Sequence, residues 1–216
     1  MWGVAVTQGN GRSTGRRRVV ERNGIVFAPG DAIGPAIIDE GLVRLCEYLP
    51  NGQRVVIGFG FPGELIGTEF HAPTLTAEAA TEVLLRTWPA GHEGFETPEA
   101  RALAAPLRRM GASAAIRAYR HPDARVAAFL LDLADRGLDR TWDLPISRSD
   151  LADYLILSVH TLSRVIARLQ RSGIVARGRG NRLTILRISD LRAIVEEAMS
   201  PTDAGLFGTL HSGIVH

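Results

Sequence analysis

Between Ser147 and Arg171 the chain holds two helix starts so close together that only a tight turn fits between them. Ser147-Arg148-Ser149-Asp150 has a serine and an acidic residue at the spacing of an N-terminal cap, and Leu151, Ala152 and Leu155 supply the buried stripe of a short helix. A second start follows at Ser158. From there Leu162, Val165, Ile166 and Leu169 recur at steps of three and four, which gives one apolar face of a helix running to about Arg171. The opposite face holds His160, Ser163, Arg164 and Ala167. Two short amphipathic helices joined by a tight turn, the second with an exposed polar and basic face, form the pattern of a helix-turn-helix. Ile174-Val175-Ala176-Arg177 and Arg182-Leu183-Thr184-Ile185-Leu186 then flank Gly178-Arg179-Gly180-Asn181, a hairpin that reads as a wing.

Charge follows the same segment. All 25 basic residues are Arg, Lys being absent, and 23 acidic residues nearly cancel them. The distribution is uneven: nine Arg face three acids between Arg148 and Arg192, a surplus of six, while 16 Arg against 20 acids elsewhere leave −4. Between Tyr154 and Ser189 lie seven arginines (Arg164, Arg168, Arg171, Arg177, Arg179, Arg182 and Arg187) and no Asp or Glu. With no acid inside that stretch, these guanidiniums read as unpaired. Duplex DNA carries about one phosphate per 1.7 Å of axis, so a one-signed surface of this kind predicts DNA binding by counterion release.

The first half has a different texture. Ile25-Val26-Phe27, Leu42-Val43-Arg44-Leu45-Cys46 and Val55-Val56-Ile57-Gly58-Phe59 are short apolar runs, separated by Ala28-Pro29-Gly30-Asp31, Pro50-Asn51-Gly52 and Phe61-Pro62-Gly63-Glu64. This predicts a compact antiparallel β unit with a hairpin at Asn51-Gly52 and a further strand over Thr81 to Leu85. After Pro98 the spacing becomes helical. Leu103, Leu107, Met110 and Ala114 form a seam that fits a dimer helix or a helix packed on its own β domain equally well, with Pro106 and Gly111 as weak points. His121-Pro122-Asp123 breaks that helix and starts the next, over Ala124 to Asp135.

Composition excludes several classes. The longest apolar run, Val126 to Leu131, is far below the roughly 18 residues of a membrane span. The single cysteine, Cys46, excludes an intrachain disulfide and a site built from four thiolates. The residues after Arg16-Arg17-Arg18 lack the apolar core of a secretory signal, so a cytoplasmic protein without a membrane partner is expected. Thr7 to Gly15 reads as flexible, and the tail from Ser200 to His216 receives no function.

Several stretches together resemble one family. Ile146 to Leu155, Val159-His160-Thr161-Leu162-Ser163-Arg164-Val165-Ile166 and Leu169-Gln170-Arg171-Ser172-Gly173-Ile174-Val175 are similar to the C-terminal domain of CRP/FNR transcription regulators, and the Ser-Arg pair to its FNR/FixK branch. Phe27 to Asp31, Glu40 to Leu45, Asn51-Gly52 and Pro62 to Gly67 resemble the turns of that family's β roll. The resemblance covers about Ile25 to Ile194. It implies an α+β chain: a flexible arm over 1–24, an N-terminal antiparallel β roll (a cyclic-nucleotide-binding-like jelly roll) over 25–97, a dimerisation helix region over 98–121, a C-terminal winged helix-turn-helix over 122–199 and a tail over 200–216.

It further implies a homodimer on a palindromic TTGA-type site in double-stranded DNA, with RNA polymerase as a further partner. Arg164 falls on the position that reads guanine, and Ser163 on one that reads a neighbouring base. His160 stands where the family has Glu, which leaves its base pair open. Ser158, Thr161, Arg148 and Ser149 match phosphate-touching positions, and Val159, Arg168 and Arg179 complete the expected DNA-binding set. Ile156 stands where the family has Gly, so either the turn differs or strain is accepted.

The sensing function is less determined. Family members that bind cyclic AMP use a glutamate and, about ten residues on, an arginine. Glu64 or Glu69 could supply the first, but no Arg occurs between Arg54 and Arg86, which disfavours cyclic AMP. One cysteine is too few for an iron-sulfur cluster. No cofactor is therefore expected, although a haem ligand among His71, His92 and His121, and with it a gas-sensing regulator of NO or CO, stays open beside effector-independent action. The competing class, a cupin-like metal enzyme, needs a His-x-His pair with converging ligands, and the chain has none. No enzymatic function is expected.

Overall fold

A computed structural model describes residues 15–31, 34, 36–67, 75–89, 113–136, 141–143, 146–178 and 182–199. The chain divides into two units, Met1–Arg54 with Phe59–Arg108, and Arg109–His216 with Val55–Gly58.

Among the described residues before position 90, the strands form two four-stranded sheets. β1 (Arg16–Val20), β8 (Val83–Thr87), β3 (Ala36–Glu40) and β6 (Leu65–Ile66) form one sheet in that order, and β2 (Ile25–Phe27), β7 (Thr76–Ala79), β4 (Val43–Tyr48) and β5 (Arg54–Gly60) form the other. Both sheets contribute to one apolar cluster, which includes Val26, Phe27, Ile38, Val43, Ala77, Ala79, Val83 and Leu85. The hairpin at Asn51-Gly52 is present. Gly52 alone takes positive φ, and its N–H donates to the Leu49 carbonyl. Gly41, at φ 87°, is needed for a close approach as well as for a turn, because a Cβ there would lie 2.2 Å from the Glu82 carbonyl oxygen.

The arm expected over 1–24 is corrected at its end. Arg16–Val20 is a strand paired along its length with β8, Val20 is buried, and the Arg18 guanidinium donates to the Val26 and Ile25 carbonyls. Residues 1–14 lie outside the described residues. The Thr81 strand also shifts, to Val83–Thr87, because Thr81 is used in a loop where its hydroxyl accepts from the Leu42 N–H.

β7 is buried on both faces. Ala77 and Ala79 enter the apolar cluster, while Glu78 sits among Arg44 at 2.6 Å, Arg54 at 3.3 Å and the Tyr48 hydroxyl at 2.5 Å. Burial pushes the Glu78 carboxyl up, but the hydrogen bonds from Tyr48 and Arg44 and the charges of Arg44 and Arg54 outweigh it, and the group is held below the ordinary carboxylate range. The Tyr48 hydroxyl is pushed up, first by its bond to Glu78 and then by burial.

The second unit is helical around a small sheet. Residues 113–118 form helix α1, followed by α2 (Pro122–Asp135), β9 (Thr141–Asp143), α3 (Arg148–Leu155), α4 (Val159–Arg171), β10 (Val175–Arg177), β11 (Arg182–Ile185) and α5 (Ile188–Glu197). His121 is the extended cap residue and Pro122 opens α2, as the sequence requires. Of the expected seam, Leu103, Leu107 and Met110 lie outside the described residues, and Ala114 is exposed on α1. Phe129, Leu133, Leu155, Leu162 and Leu191 are buried at the centre, where Phe129 meets Tyr154 edge-on with ring centroids 5.5 Å apart. No helix among the described residues is long and apolar enough to cross a membrane.

Candidate nucleic-acid interface

Both helices of the motif begin on a serine. The Ser147 hydroxyl accepts from the Asp150 N–H at 3.0 Å, and the Ser158 hydroxyl from the Thr161 N–H at 3.0 Å. Each satisfies a donor that the first helical turn leaves without an intrahelical partner. Between them the chain turns at Ile156, whose φ of 54° and ψ of 51° are left-handed. Strain is accepted, and its supports are visible. The Leu157 N–H returns to the Ala152 carbonyl at 2.9 Å, closing a C-terminal cap. Arg125 of α2 donates to the Leu155 and Ile156 carbonyls at 3.1 and 3.0 Å and to Tyr119 at 2.6 Å, so one guanidinium clamps the turn.

This clamp fixes which face α4 shows. Leu162, Val165 and Leu169 are buried, while Val159, His160, Arg164, Ala167, Arg168 and Arg171 are exposed and Ser163 is half-buried. Arg164 and His160 make no hydrogen bond or ion pair among the described residues, so their polar groups face outward without an internal partner. The helix ends at Gly173, φ 67°, where the Ile174 N–H donates to the Leu169 carbonyl. β10 follows at once and pairs with β11.

The basic surface is smaller than a count of arginines suggests. Arg168 lies against Asp123 of α2, with its Nη2 2.7 Å from both carboxylate oxygens. Arg187 donates to the Ser172 and Gly173 carbonyls at the end of α4 and pairs with Asp190 at 3.0 Å. Among the described residues, Arg168 and Arg187 are thus engaged with other elements of the unit, and Arg171 Nε donates to the Ala167 carbonyl of its own helix at 3.4 Å. Asp123 is 45 residues from Arg168, so no local spacing could reveal the pair. Arg164, Arg171 and Arg177 are exposed, while Arg179 and the side chain of Arg182 lie outside the described residues.

The remaining expected residues fall at the helix starts. Arg148 is the first residue of α3 and donates to the Ser163 hydroxyl of α4 at 3.0 Å. Ser149 is exposed with its hydroxyl 2.9 Å from that of Ser147, and Thr161 lies 2.9 Å from Ser158 through the hydroxyls. Sequence reasoning missed the roles of Arg125 and Asp123 and took Arg187 for an unpaired cation, whereas it is engaged with Ser172, Gly173 and Asp190. It also missed β9, the third strand beside the wing, which pairs with β11.

Comparison with known proteins identifies this arrangement. The profile of the Crp-like helix-turn-helix domain matches residues 124–194. The nitrogen fixation regulation protein FixK of Rhizobium meliloti is 33% identical over 180 residues, spanning 78% of this chain and 82% of that protein. The chain belongs to the CRP/FNR family. Within this family it is of the FixK type, and it is a DNA-binding transcription regulator. The transcriptional regulator LdrP of Thermus thermophilus is 34% identical over 177 residues, covering 77% of this chain and 88% of that protein. Among solved CRP/FNR structures, FixK2 of Bradyrhizobium japonicum superposes with a TM-score of 0.75 over 83% of this chain and 96% of that one, at 24% identity, a likeness of fold. A CRP-family regulator from Thermus thermophilus gives 0.68 over the same shares at 29% identity.

Proposed function

We propose that the chain acts as a homodimer on a palindromic TTGA-type site, with Arg164 and Ser163 of α4 reading bases in the major groove. The observation that carries this reading is Arg164 itself: exposed, without an internal partner among the described residues, and in the second turn of a helix whose start and roll are fixed by Ser158 and Arg125. A guanidinium held this way can bond O6 and N7 of guanine together. Val159, 46% exposed, presents methyl groups suited to the thymine methyl. Ser158, Thr161, Ser149 and Arg148 cluster at two helix starts, where backbone N–H groups and the helix dipole favour phosphate. Arg179 in the wing belongs to the same proposal, whereas Arg168 would have to leave Asp123 to reach DNA.

The seam over 98–121 supplies the dimer contact, RNA polymerase is the further partner and the cytoplasm the location. The chain has no enzymatic activity of its own. Regulation without a bound nucleotide is favoured, because the Glu64 carboxylate accepts from the Phe61 N–H at 2.9 Å within its own turn and no arginine lies between Arg54 and Arg86 to meet a cyclic phosphate. Glu69, His71 and His92 lie outside the described residues, and His121 sits at the start of α2. A haem would give an intense visible absorption in freshly purified protein, and none is expected.

The test is Arg164→Ala. Preference for a TTGA-type duplex over one with its G·C pair replaced falls by roughly 1 to 3 kcal/mol, to near nothing, while non-specific binding persists. Unchanged discrimination refutes the reading.

A further inference from the structure

A serine hydroxyl reads either kind of base edge, since it has one donor and two lone pairs. In this chain one of those lone pairs is taken. We propose that Arg148 sets the hydrogen-bond polarity of Ser163, so that Ser163 donates to an acceptor on the base edge, thymine O4, and rejects a base that offers a donor there. The inference rests on the reading of Ser163 as a base contact.

The contact joins the two helices of the motif. Arg148 Nη1 lies 3.0 Å from Ser163 Oγ, and a guanidinium can only donate, so the serine oxygen accepts. Among the described residues the Ser163 hydroxyl makes no other hydrogen bond, so no carbonyl of α4 takes its proton and the O–H is left for a ligand. The adjacent positive charge polarises the O–H, which strengthens it as a donor and weakens the oxygen as an acceptor. A base amino group arriving at the same place meets both a spent lone pair and a guanidinium. Arg148 is half-buried, and its stem lies beside the apolar side chains of Val126, Phe129, Leu151, Ile166 and Leu169, with which it lines a cavity of about 50 Å³. Its other N–H groups remain for a phosphate, which would tie backbone contact to base reading through one side chain.

The experiment uses full-length protein and duplexes that differ at the base pair facing Ser163. Thymine is exchanged for 5-methylcytosine, which keeps the methyl group and turns the acceptor at position 4 into a donor. The wild-type chain prefers thymine by about fivefold or more. Arg148→Met keeps an apolar stem but removes the donor, and brings the preference within about twofold. Arg148→Lys, which can still donate, restores part of it. Ser163→Ala loses the preference, and Arg148→Met then changes it no further, as expected of two residues acting through one contact. If Ser163→Ala loses the preference but Arg148→Met weakens both duplexes equally, Arg148 is a phosphate ligand only and the inference is overturned. If Ser163→Ala keeps the preference, the base-reading role of Ser163 fails instead.

Discussion

At the scale of single residues, Ile156 is the sharpest departure from local rules. A β-branched residue at φ 54° is strained by roughly 1 to 2 kcal/mol, and its side chain, 64% exposed, gains little from burial in return. Ile156→Gly is therefore expected to raise stability by about 0.5 to 1 kcal/mol, the relief of strain exceeding the extra chain entropy of glycine. A urea titration checks it, and a lowered midpoint would mean that the isoleucine makes a contact of its own. Arg125→Met removes the donor that holds two carbonyls of the same turn and is expected to cost about 1.5 to 3 kcal/mol. Serine caps at 147 and 158 were legible because their chemistry is local. The Arg125 clamp was not, because it spans 30 residues from α2 to the Leu155 carbonyl.

Elements show the same division between local and distant causes. α3 and α4 could be read from apolar spacing, and the wing from its glycines. β7 could not, because Thr-Ala-Glu-Ala alternates only small alanines with polar residues and carries a single β-branched side chain, and its place comes from pairing with β4 and from partners for Glu78 on other strands. β1 was hidden for a similar reason: three successive arginines form an exposed strand because β8 supplies the ladder. For α4 the engaged arginines make a distinct prediction. Arg168→Ala is expected to leave the salt dependence of DNA binding unchanged and to cost roughly 0.5 kcal/mol of stability, the pair with Asp123 being largely exposed. Arg177→Ala, in β10 and without a partner among the described residues, should lower the slope of log Kobs against log salt by about one. Equal slopes for the two variants would contradict this sorting.

For the whole molecule, the near cancellation of 25 arginines by 23 acids conceals two differently charged parts. The acidic remainder includes Glu78, whose lowered pKa ties stability to pH. Its contribution is complete above the ordinary carboxylate value of about 4.3 and is lost as pH falls through that value and then through the depressed native one. Glu78→Gln should flatten this acid limb in thermal unfolding measured from pH 6 down to pH 3, and an unchanged limb would place the acid sensitivity elsewhere. The claim on which the account depends is that α4 reads sequence, and that two copies do so in symmetry. Selection of bound duplexes from a random pool by the full-length chain measures both together. An enriched palindrome with TTGA-type half-sites about one helical turn apart is the expected result. Enrichment of no sequence, or of a single unpaired half-site, would contradict it.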